Sequence, residues 1–358
     1  MSDPPMDFAI LGATPQARLI AGLLAGVHGK SVAFVGESQS GFRLPRALDL
    51  SIAPLTRPES WALLQAGRQD VQKLMTRISG RKSWTRLDPM LFADSAEGQQ
   101  ALAHIRHMAS GFGLAAERPR PDAMARGRDG ILFRDATLID RAVAEPALDR
   151  WMGQQGVRLC APESNVTIHD DGSGEIRGDR GNISAVQCVL ADDTALLSHL
   201  PAERWPHLLV QAHGTTILTE PTGRIAAPVM QEIDSGLTLW QRPEGGVVAF
   251  GPGRMDRVLE AANALLGGAR ALHRAGQSQY GIVTTRDGAP ALGRIDGSGC
   301  DVLAGFGLTG IFLAPAIARW LAGVAAPQED HWFSARLVNR SATPSVVADY
   351  FPAVEALP

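Results

Sequence analysis

The sequence has few cysteines, few tyrosines and no long apolar run. Cys160, Cys188 and Cys300 are the only cysteines in 358 residues, and they form neither a C-x-x-C pair nor an alternation with histidines at zinc spacing. This scarcity argues against a disulfide framework and favours a reducing compartment. No segment reaches the roughly 18 uninterrupted apolar residues that a membrane-spanning helix needs. We therefore expect no membrane segment and no metal site.

Neither sign of charge dominates the chain. Lysine and arginine total 34 and aspartate and glutamate total 37, so no strong field favours nucleic acid or an anionic membrane surface. The expected partner is a small molecule or another protein. The first six residues hold Asp3 and two prolines instead of a basic stretch, which predicts a cytoplasmic protein without a signal peptide.

The beginning of the chain alternates strand and helix. Residues 7–11 form an apolar run that ends at Gly12, Pro15 opens a helix, and residues 31–35 resume as a buried strand. This order predicts a parallel pair with a right-handed crossover. Residues 208–250 differ, because short strand-like runs alternate with turns as in an antiparallel sheet. The predicted fold class is α/β, or α+β overall, with a Rossmann-like domain and a second, mostly antiparallel-sheet domain.

The turn after the first strand has part of a dinucleotide-binding pattern. Such a turn needs little side chain, so that the free N–H groups of the following helix can reach a pyrophosphate. The sequence matches G-x-G-x-x-G at Gly12 and has the tolerated Ala17 in third place, but Thr14 replaces the middle glycine. Glu37 follows the second strand, close to the spacing expected for the acid that binds the adenosine ribose. A Rossmann-like unit without a nucleotide is the competing interpretation.

Two segments near the C-terminus carry a resemblance to a known family. Residues 280–293, YGIVTTRDGAPALG, are similar to the G-x-R-P-x-T-x-D-G-x-P-x-I-G segment of the D-amino-acid, glycine and sarcosine oxidases. Residues 301–315, DVLAGFGLTGIFLAP, resemble the terminal G-H-x-x-x-G-x-x-L-A-P turn and helix of that family. Residues 133–157 and 187–197 resemble its central helix and its strand that enters the FAD site. The same turn also suits a helix that is merely buried.

The resemblance implies an FAD-dependent oxidoreductase and a set of site residues. A helix N-terminus near the flavin ring stabilises the negative charge that builds on the reduced ring. Because no cysteine or histidine lies in the turn, we expect non-covalent FAD. The residues expected to bind it are Gly12, Thr14, Pro15, Gln16, Glu37, Arg43, Val166, Ala191, Gly305, Gly307, Leu308, Thr309 and Gly310. The resemblance names no catalytic residue, and the flavin-facing candidates are Phe306, Leu308, Trp240 and Ile282.

The resemblance also divides the chain into parts. We expect FAD-binding parts at residues 1–78, 135–200 and 285–326, and an antiparallel-sheet substrate domain at 201–284. Residues 79–134 are expected to be a surface-exposed insertion that contributes to the substrate domain. Residues 327–358 are expected to form a tail.

Three departures from the family pattern bear on the chemistry. Ile282 stands where the family has the arginine that holds the substrate carboxylate, a bidentate contact that is hard to replace. Asp192 and Asp193 stand where the family strand ends in A-x-G, so they bring carboxylates close to the pyrophosphate. Thr14 adds a Cβ there. Arg43 and Arg46, in a loop that contains Gly41, are candidates to offset the acidic charge near the phosphates. Arg242, Arg254 or Arg286 is a candidate to bind a substrate carboxylate in place of the missing arginine.

Two functional hypotheses follow. The first is an FAD-dependent oxidoreductase that oxidises a C–N bond of an amine, or of an amine-bearing peptide or protein. The second is an accessory or maturation protein of the same fold with weakened or lost flavin catalysis. His104 and His107 at helical spacing lack a third ligand, which favours a solvated helix over a metal site. Trp240 fits either an aromatic wall of the substrate cavity or an ordinary core tryptophan.

Overall fold

The structure is a computed structural model that describes residues 4–38, 43–120, 124, 127–178, 181–266 and 273–342. Gly41, in the loop that was expected to place Arg43 and Arg46 near the phosphates, lies outside the described residues, as does the end of the predicted tail.

The described residues contain eight α-helices and nineteen β-strands. The helices are α1 (Pro15–Gly26), α2 (Pro58–Ser79), α3 (Ala96–Gly111), α4 (Arg141–Gln154), α5 (Asp193–His199), α6 (Met255–Leu266), α7 (Gly310–Leu321) and α8 (Pro327–Ser334). The strands are β1 (Met6–Leu11), β2 (Val32–Val35), β3 (Asp49–Leu50), β4 (Trp84–Leu87), β5 (Met90–Ala93), β6 (Ala116–Glu117), β7 (Asp129–Phe133), β8 (Ala136–Ile139), β9 (Arg158–Cys160), β10 (Asn165–Ile168), β11 (Gly174–Gly178), β12 (Gly181–Leu190), β13 (Leu209–Pro221), β14 (Val229–Glu232), β15 (Thr238–Gln241), β16 (Gly246–Pro252), β17 (Arg274–Thr285), β18 (Ala291–Arg294) and β19 (Asp301–Ala304).

The first sheet contains the predicted β-α-β unit. Its strands run in the order β10-β11-β12-β1-β2-β9, and β19 pairs with β12 on one side and β18 on the other. β1 pairs in parallel with both β2 and β12. Pro15 occupies the first turn of α1, where its missing N–H costs nothing. Gly29 has a φ of 63°, which allows the chain to turn after this helix.

The second sheet has eight strands in the order β17-β13-β16-β15-β14-β5-β7-β6. Its pairs are antiparallel except for β14 with β5. The expectation of a surface-exposed insertion at 79–134 is wrong for β5, whose four residues are all buried inside this sheet. The apolar run of β5 is short and lies between polar segments, so the sequence did not distinguish an inner strand from a surface turn.

Three helices had no clear sequence signal. α5 occupies the second half of residues 187–197, which were expected to form the strand that enters the FAD site. α6 follows the second sheet, and α8 lies within the predicted tail. Trp332 and Phe333 of α8 are buried in the main core, so this part of the tail belongs to the fold. That core includes Leu50 of β3, Val248 of β16 and Phe312 of α7, so it joins residues of strands and helices from distant parts of the chain. Within the described residues, no helix is both long and apolar enough to cross a membrane.

Candidate functional site

The N-terminus of α1 faces the carboxylate of Asp192. The backbone N–H groups of Ala13 and Thr14 donate to Oδ2 of Asp192 at 2.6 and 3.0 Å. The other carboxylate oxygen, Oδ1, accepts from the backbone N–H of Ala195 at 3.0 Å and caps α5. One side chain therefore serves as the acceptor for two helix N-termini, where partial positive charge favours an anion.

Further donors at the start of α1 also have partners inside the protein. Thr14 is the N-cap, and its Oγ1 accepts from the N–H of Ala17 at 3.3 Å. Gly12 N–H donates to the carbonyl of Val35 at 3.0 Å. A Cβ on Gly12 would lie 2.9 Å from Oδ2 of Asp192, so only glycine admits the carboxylate this close. Thr14 therefore stabilises the helix, a role that the family pattern did not indicate.

The N-termini of α1 and α7 meet at Gln16 and Gly310. A Cβ on Gly310 would lie 1.8 Å from Oε1 of Gln16, so the two residues are in close contact. The preceding turn needs glycine at two places, since Gly305 has a φ of 71° and Gly307 a φ of 52°. This turn therefore lies next to the turn that begins at Gly12.

The side chains of the turn point into the protein core. Phe306, Leu308 and Thr309 are buried, and the first two pack in the main core cluster with Leu50 and Ile52. Thr309 Oγ1 donates to the carbonyl of Phe306 at 3.1 Å.

Glu37 and Arg43, two of the predicted cofactor-binding residues, pair with each other. Nη2 of Arg43 lies 2.9 Å from Oε2 of Glu37, and both side chains are about half exposed. Gly36, just before Glu37, packs against the dinucleotide turn, because a Cβ there would lie 1.8 Å from the carbonyl oxygen of Gly12. The end of β2 is thus held against the start of α1.

Arg141, the first residue of α4, lies close to several acidic side chains of this region. Its Nε donates to Oδ2 of the buried Asp49 at 2.6 Å. Burial lowers the pKa of Arg141, but the carboxylates of Asp49, Glu145 and Asp192 outweigh it, so the pKa is raised. A fixed cation therefore lies among the carboxylates between α4 and α5. No pattern in the sequence indicates this role for Arg141.

Asp193 connects α5 to the second sheet. The N–H of Val283, on the edge strand β17, donates to its carboxylate. Burial raises the pKa of Asp193 to about 7, and the neighbouring Asp192 acts in the same direction. The two adjacent aspartates hence bind to different parts of the fold, Asp192 to α1 and Asp193 to β17.

Ile282 and Tyr280 share one face of β17, because alternate residues of a strand point to the same side. Both pack over Gly214 of β13, where a Cβ would lie 2.5 Å from the Tyr280 ring and 2.8 Å from Cγ2 of Ile282. The guanidinium of Arg46 lies 4.9 Å from the centre of the Tyr280 ring. The Tyr280 hydroxyl donates to the carbonyl of Arg46 at 2.9 Å and lies 3.2 Å from Oγ1 of Thr216.

Arg242, Arg254 and Arg286 were the candidates to replace the family's carboxylate-binding arginine. Each of them either has a partner within the protein or is exposed. Arg286 donates through Nε to the carbonyl of His207 at 2.7 Å. Arg242 lies 2.6 Å from Glu244 and 5.9 Å from the ring centre of Trp240, and Arg254 is exposed. The arginine that does lie beside the face of Ile282 is Arg46. Its stacking on a tyrosine 234 residues away has no signal in the sequence.

The remaining predicted residues lie in separate places. Ala191 is buried, and its N–H donates to the carbonyl of Leu11 at 2.8 Å. Val166 lies on β10 and pairs with Ile176 of β11. His104 Nε2 lies 2.9 Å from the carbonyl oxygen of Thr56, which gives it a structural partner. In the part of the chain that the structure describes, no three His, Cys, Asp or Glu side chains form a metal-binding group.

A family model for FAD-dependent oxidoreductases of the D-amino-acid oxidase type matches residues 21–324. The chain belongs to this family. The match begins after the turn at Gly12 and so leaves out the part in which Thr14 departs from the family pattern. It includes the glycine-rich turn at Gly305–Gly310, which lies against α1. A comparison with curated protein sequences gives no significant match.

Solved structures of similar fold extend over almost the whole chain. L-proline dehydrogenase from P. horikoshii superimposes with a TM-score of 0.72 at 16% identity, covering 93% of this chain and 97% of its own. Glycine oxidase from Geobacillus kaustophilus gives 0.67 at 17% identity, with 99% and 100% covered. Iminodiacetate oxidase from Chelativorans sp. BNC1 gives 0.65 at 18% identity, with 88% and 94% covered. At these identities the likeness establishes the fold that the sequence predicted.

Proposed function

We propose that this protein is an FAD-dependent oxidoreductase that oxidises a C–N bond in an amine without a neighbouring carboxylate, or in an amine-bearing peptide or protein. Family membership supports the cofactor and the reaction class. The observation that carries the substrate class is Ile282, which packs over Gly214 where the resemblance places a carboxylate-binding arginine. An apolar side chain there gives a carboxylate no partner, and burying an unpaired anion costs several kcal/mol.

Two features support the binding of FAD by these residues. The N–H groups of Ala13 and Thr14 already converge on an anionic group, since the Asp192 carboxylate stands in for a phosphate oxygen. Glu37 ends β2 with its carboxylate half exposed. The residues fit the cofactor once the Asp192 side chain turns away, because the backbone donors already point at an anion.

The remaining groups have distinct proposed roles. Glu37 binds the adenosine ribose, and the turn from Gly305 to Gly310 holds the flavin ring at the N-terminus of α7, where the helix dipole favours negative charge. Bound FAD supplies the acceptor for a hydride from the carbon next to the amine nitrogen. Tyr280 and Ile282 form the apolar wall against which the substrate is positioned. The half-buried Asp193 favours a cationic group over an anionic one at the adjoining end of β17.

Anaerobic reduction of the FAD-loaded protein tests the substrate class. Simple amines and N-terminally free peptide amides are expected to bleach the flavin, whereas glycine, sarcosine, proline and common D-amino acids are not. The matched variants are Ile282→Arg and Ile282→Leu. The arginine variant is expected to gain reduction by free amino acids, and the leucine variant is expected to behave as the wild type.

Rapid reduction of the wild-type flavin by a free amino acid would contradict this proposal. Arg46, beside Tyr280, is then the side chain to replace, because it is the guanidinium that lies at this face of the sheet. Loss of amino-acid reduction in Arg46→Ala would place the carboxylate partner there.

An accessory role without flavin catalysis is the second candidate, and the Asp192 contact favours it. A carboxylate bound to the α1 N-terminus satisfies the donors that a pyrophosphate would use. The flavin absorption of the protein as purified, and again after incubation with excess FAD, distinguishes the two. A protein that stays colourless under both conditions supports the accessory role.

A further inference from the structure

We infer that Asp192 is an internal competitor for the pyrophosphate of FAD, so that the cofactor enters only by displacing this carboxylate from the N-terminus of α1. The inference rests on the proposed function only in naming FAD as the incoming group. It concerns how tightly the cofactor binds and makes no statement about the substrate.

The geometry makes Asp192 a specific ligand for α1. Its Oδ2 accepts two hydrogen bonds, at 2.6 Å from Ala13 and 3.0 Å from Thr14, and lies in the gap that Gly12 leaves open. Charge-assisted contacts of this length are stronger than those between neutral groups. The same N–H groups are the donors that a helix N-terminus offers to a phosphate.

The N-termini of α1 and α5 already share an acceptor within the protein. Asp192 caps α5 through the N–H of Ala195 while its other carboxylate oxygen accepts from α1. Arg141 lies near enough for Asp192 to raise its pKa, which offsets part of the negative charge of the cluster. FAD must therefore replace existing hydrogen bonds to reach these N–H groups.

Asp192→Asn tests the competition directly. Asparagine keeps the size of the side chain and the acceptor for Ala195, but it removes the negative charge that binds α1. FAD and ADP, which carry a diphosphate, are expected to bind about 10- to 100-fold more tightly to the variant than to the wild type. Adenosine and riboflavin lack the diphosphate, so their affinities are expected to change by less than about threefold.

The matched control is Asp193→Asn at about pH 8, where Asp193 is mostly ionised, because it then removes a neighbouring charge that bonds to Val283 and not to α1. Its effect on FAD and ADP is expected to stay within about threefold. Asp192→Ser is a second variant in case the asparagine protein does not fold, since serine is a good N-cap for α5 but is too short to bridge to α1. Binding is measured by fluorescence titration of the purified proteins.

Unchanged or weaker FAD and ADP binding in the Asp192 variants overturns the inference. Equal tightening in Asp193→Asn, or tightening for adenosine, also overturns it, because either result indicates general charge and not displacement at α1. These outcomes are independent of the proposed function. If Asp192→Asn tightens FAD and no amine reduces the flavin, the inference stands and the proposed reaction fails.

Discussion

The carboxylate of Asp192 lies 2.6 Å from the backbone nitrogen of Ala13, although 179 residues separate the two in the chain. The contact joins the end of β12 to the start of α1, two of the three places where the sequence departs from the family pattern. The carboxylate is the anion that the turn binds, and Thr14 caps the helix beside it.

Replacement of Glu37 by glutamine is expected to weaken FAD without unfolding the protein. One charge-assisted hydrogen bond contributes about 1.5–3 kcal/mol, or roughly 10- to 150-fold in affinity. Glu37 is about half exposed and pairs with the equally exposed Arg43, so thermal unfolding is expected to change little. Fluorescence titration with FAD provides the measurement, and an unchanged affinity would show that β2 does not bind the ribose.

FAD is expected to be held without a covalent bond. The turn from Gly305 to Gly310 contains neither cysteine nor histidine, and Cys300 is fully buried before β19. Acid precipitation of FAD-loaded protein is therefore expected to release all of the flavin into the supernatant. A yellow pellet after washing would contradict this expectation.

Asp193→Asn is expected to stabilise the protein at neutral and alkaline pH. The carboxyl has a pKa of about 7 in the folded state against an ordinary value of 3.8, so the folded protein retains a proton that the unfolded chain releases. Stability therefore falls as the pH rises between these values, and the asparagine variant avoids this loss. The gain at about pH 8 is expected to be on the order of 2 kcal/mol, discounted for the partial exposure of the side chain.

Thermal unfolding of wild type and variant from acid to alkaline pH measures this effect. Asp171→Asn serves as the control, because hydrogen bonds from Ser173 lower the pKa of that exposed carboxyl and give the opposite trend. Parallel curves for the wild type and Asp193→Asn would show that Asp193 has no raised pKa.

Gly36→Ala is expected to destabilise the protein strongly. The new Cβ would lie 1.8 Å from the carbonyl oxygen of Gly12, and a backbone atom cannot move aside as a flexible side chain does. We expect a loss of about 2–3 kcal/mol, typical of overpacking. Gly111→Ala is the control, since nothing lies within 4 Å of its Cβ position. Equal unfolding midpoints for the two variants would refute the close approach of β2 to the dinucleotide turn.

The sequence alone determined the elements with a strong local pattern. The apolar run of β1, the helical spacing and Pro15 of α1, and the return strand β2 follow from periodicity and from start and stop residues, which act over a few positions. The bounds of α2 and of β19 are nearly those that the pattern predicts. The two C-terminal motifs indicated the family because their residues match the family pattern at fixed spacing, and this match can be read without knowing the tertiary contacts.

The tertiary structure decided what the charged side chains do. The sequence put Asp192 and Asp193 near a cofactor but did not show that one binds α1 and the other β17, since hydrogen bonds over 90 residues or more leave no local trace. Arg46 stacks on Tyr280 for the same reason, while the arginines chosen from the sequence lie elsewhere. β5 was expected at the surface, because four residues are too few to show from their own pattern whether a strand is buried. It is buried because it lies between β14 and β7 in the sheet.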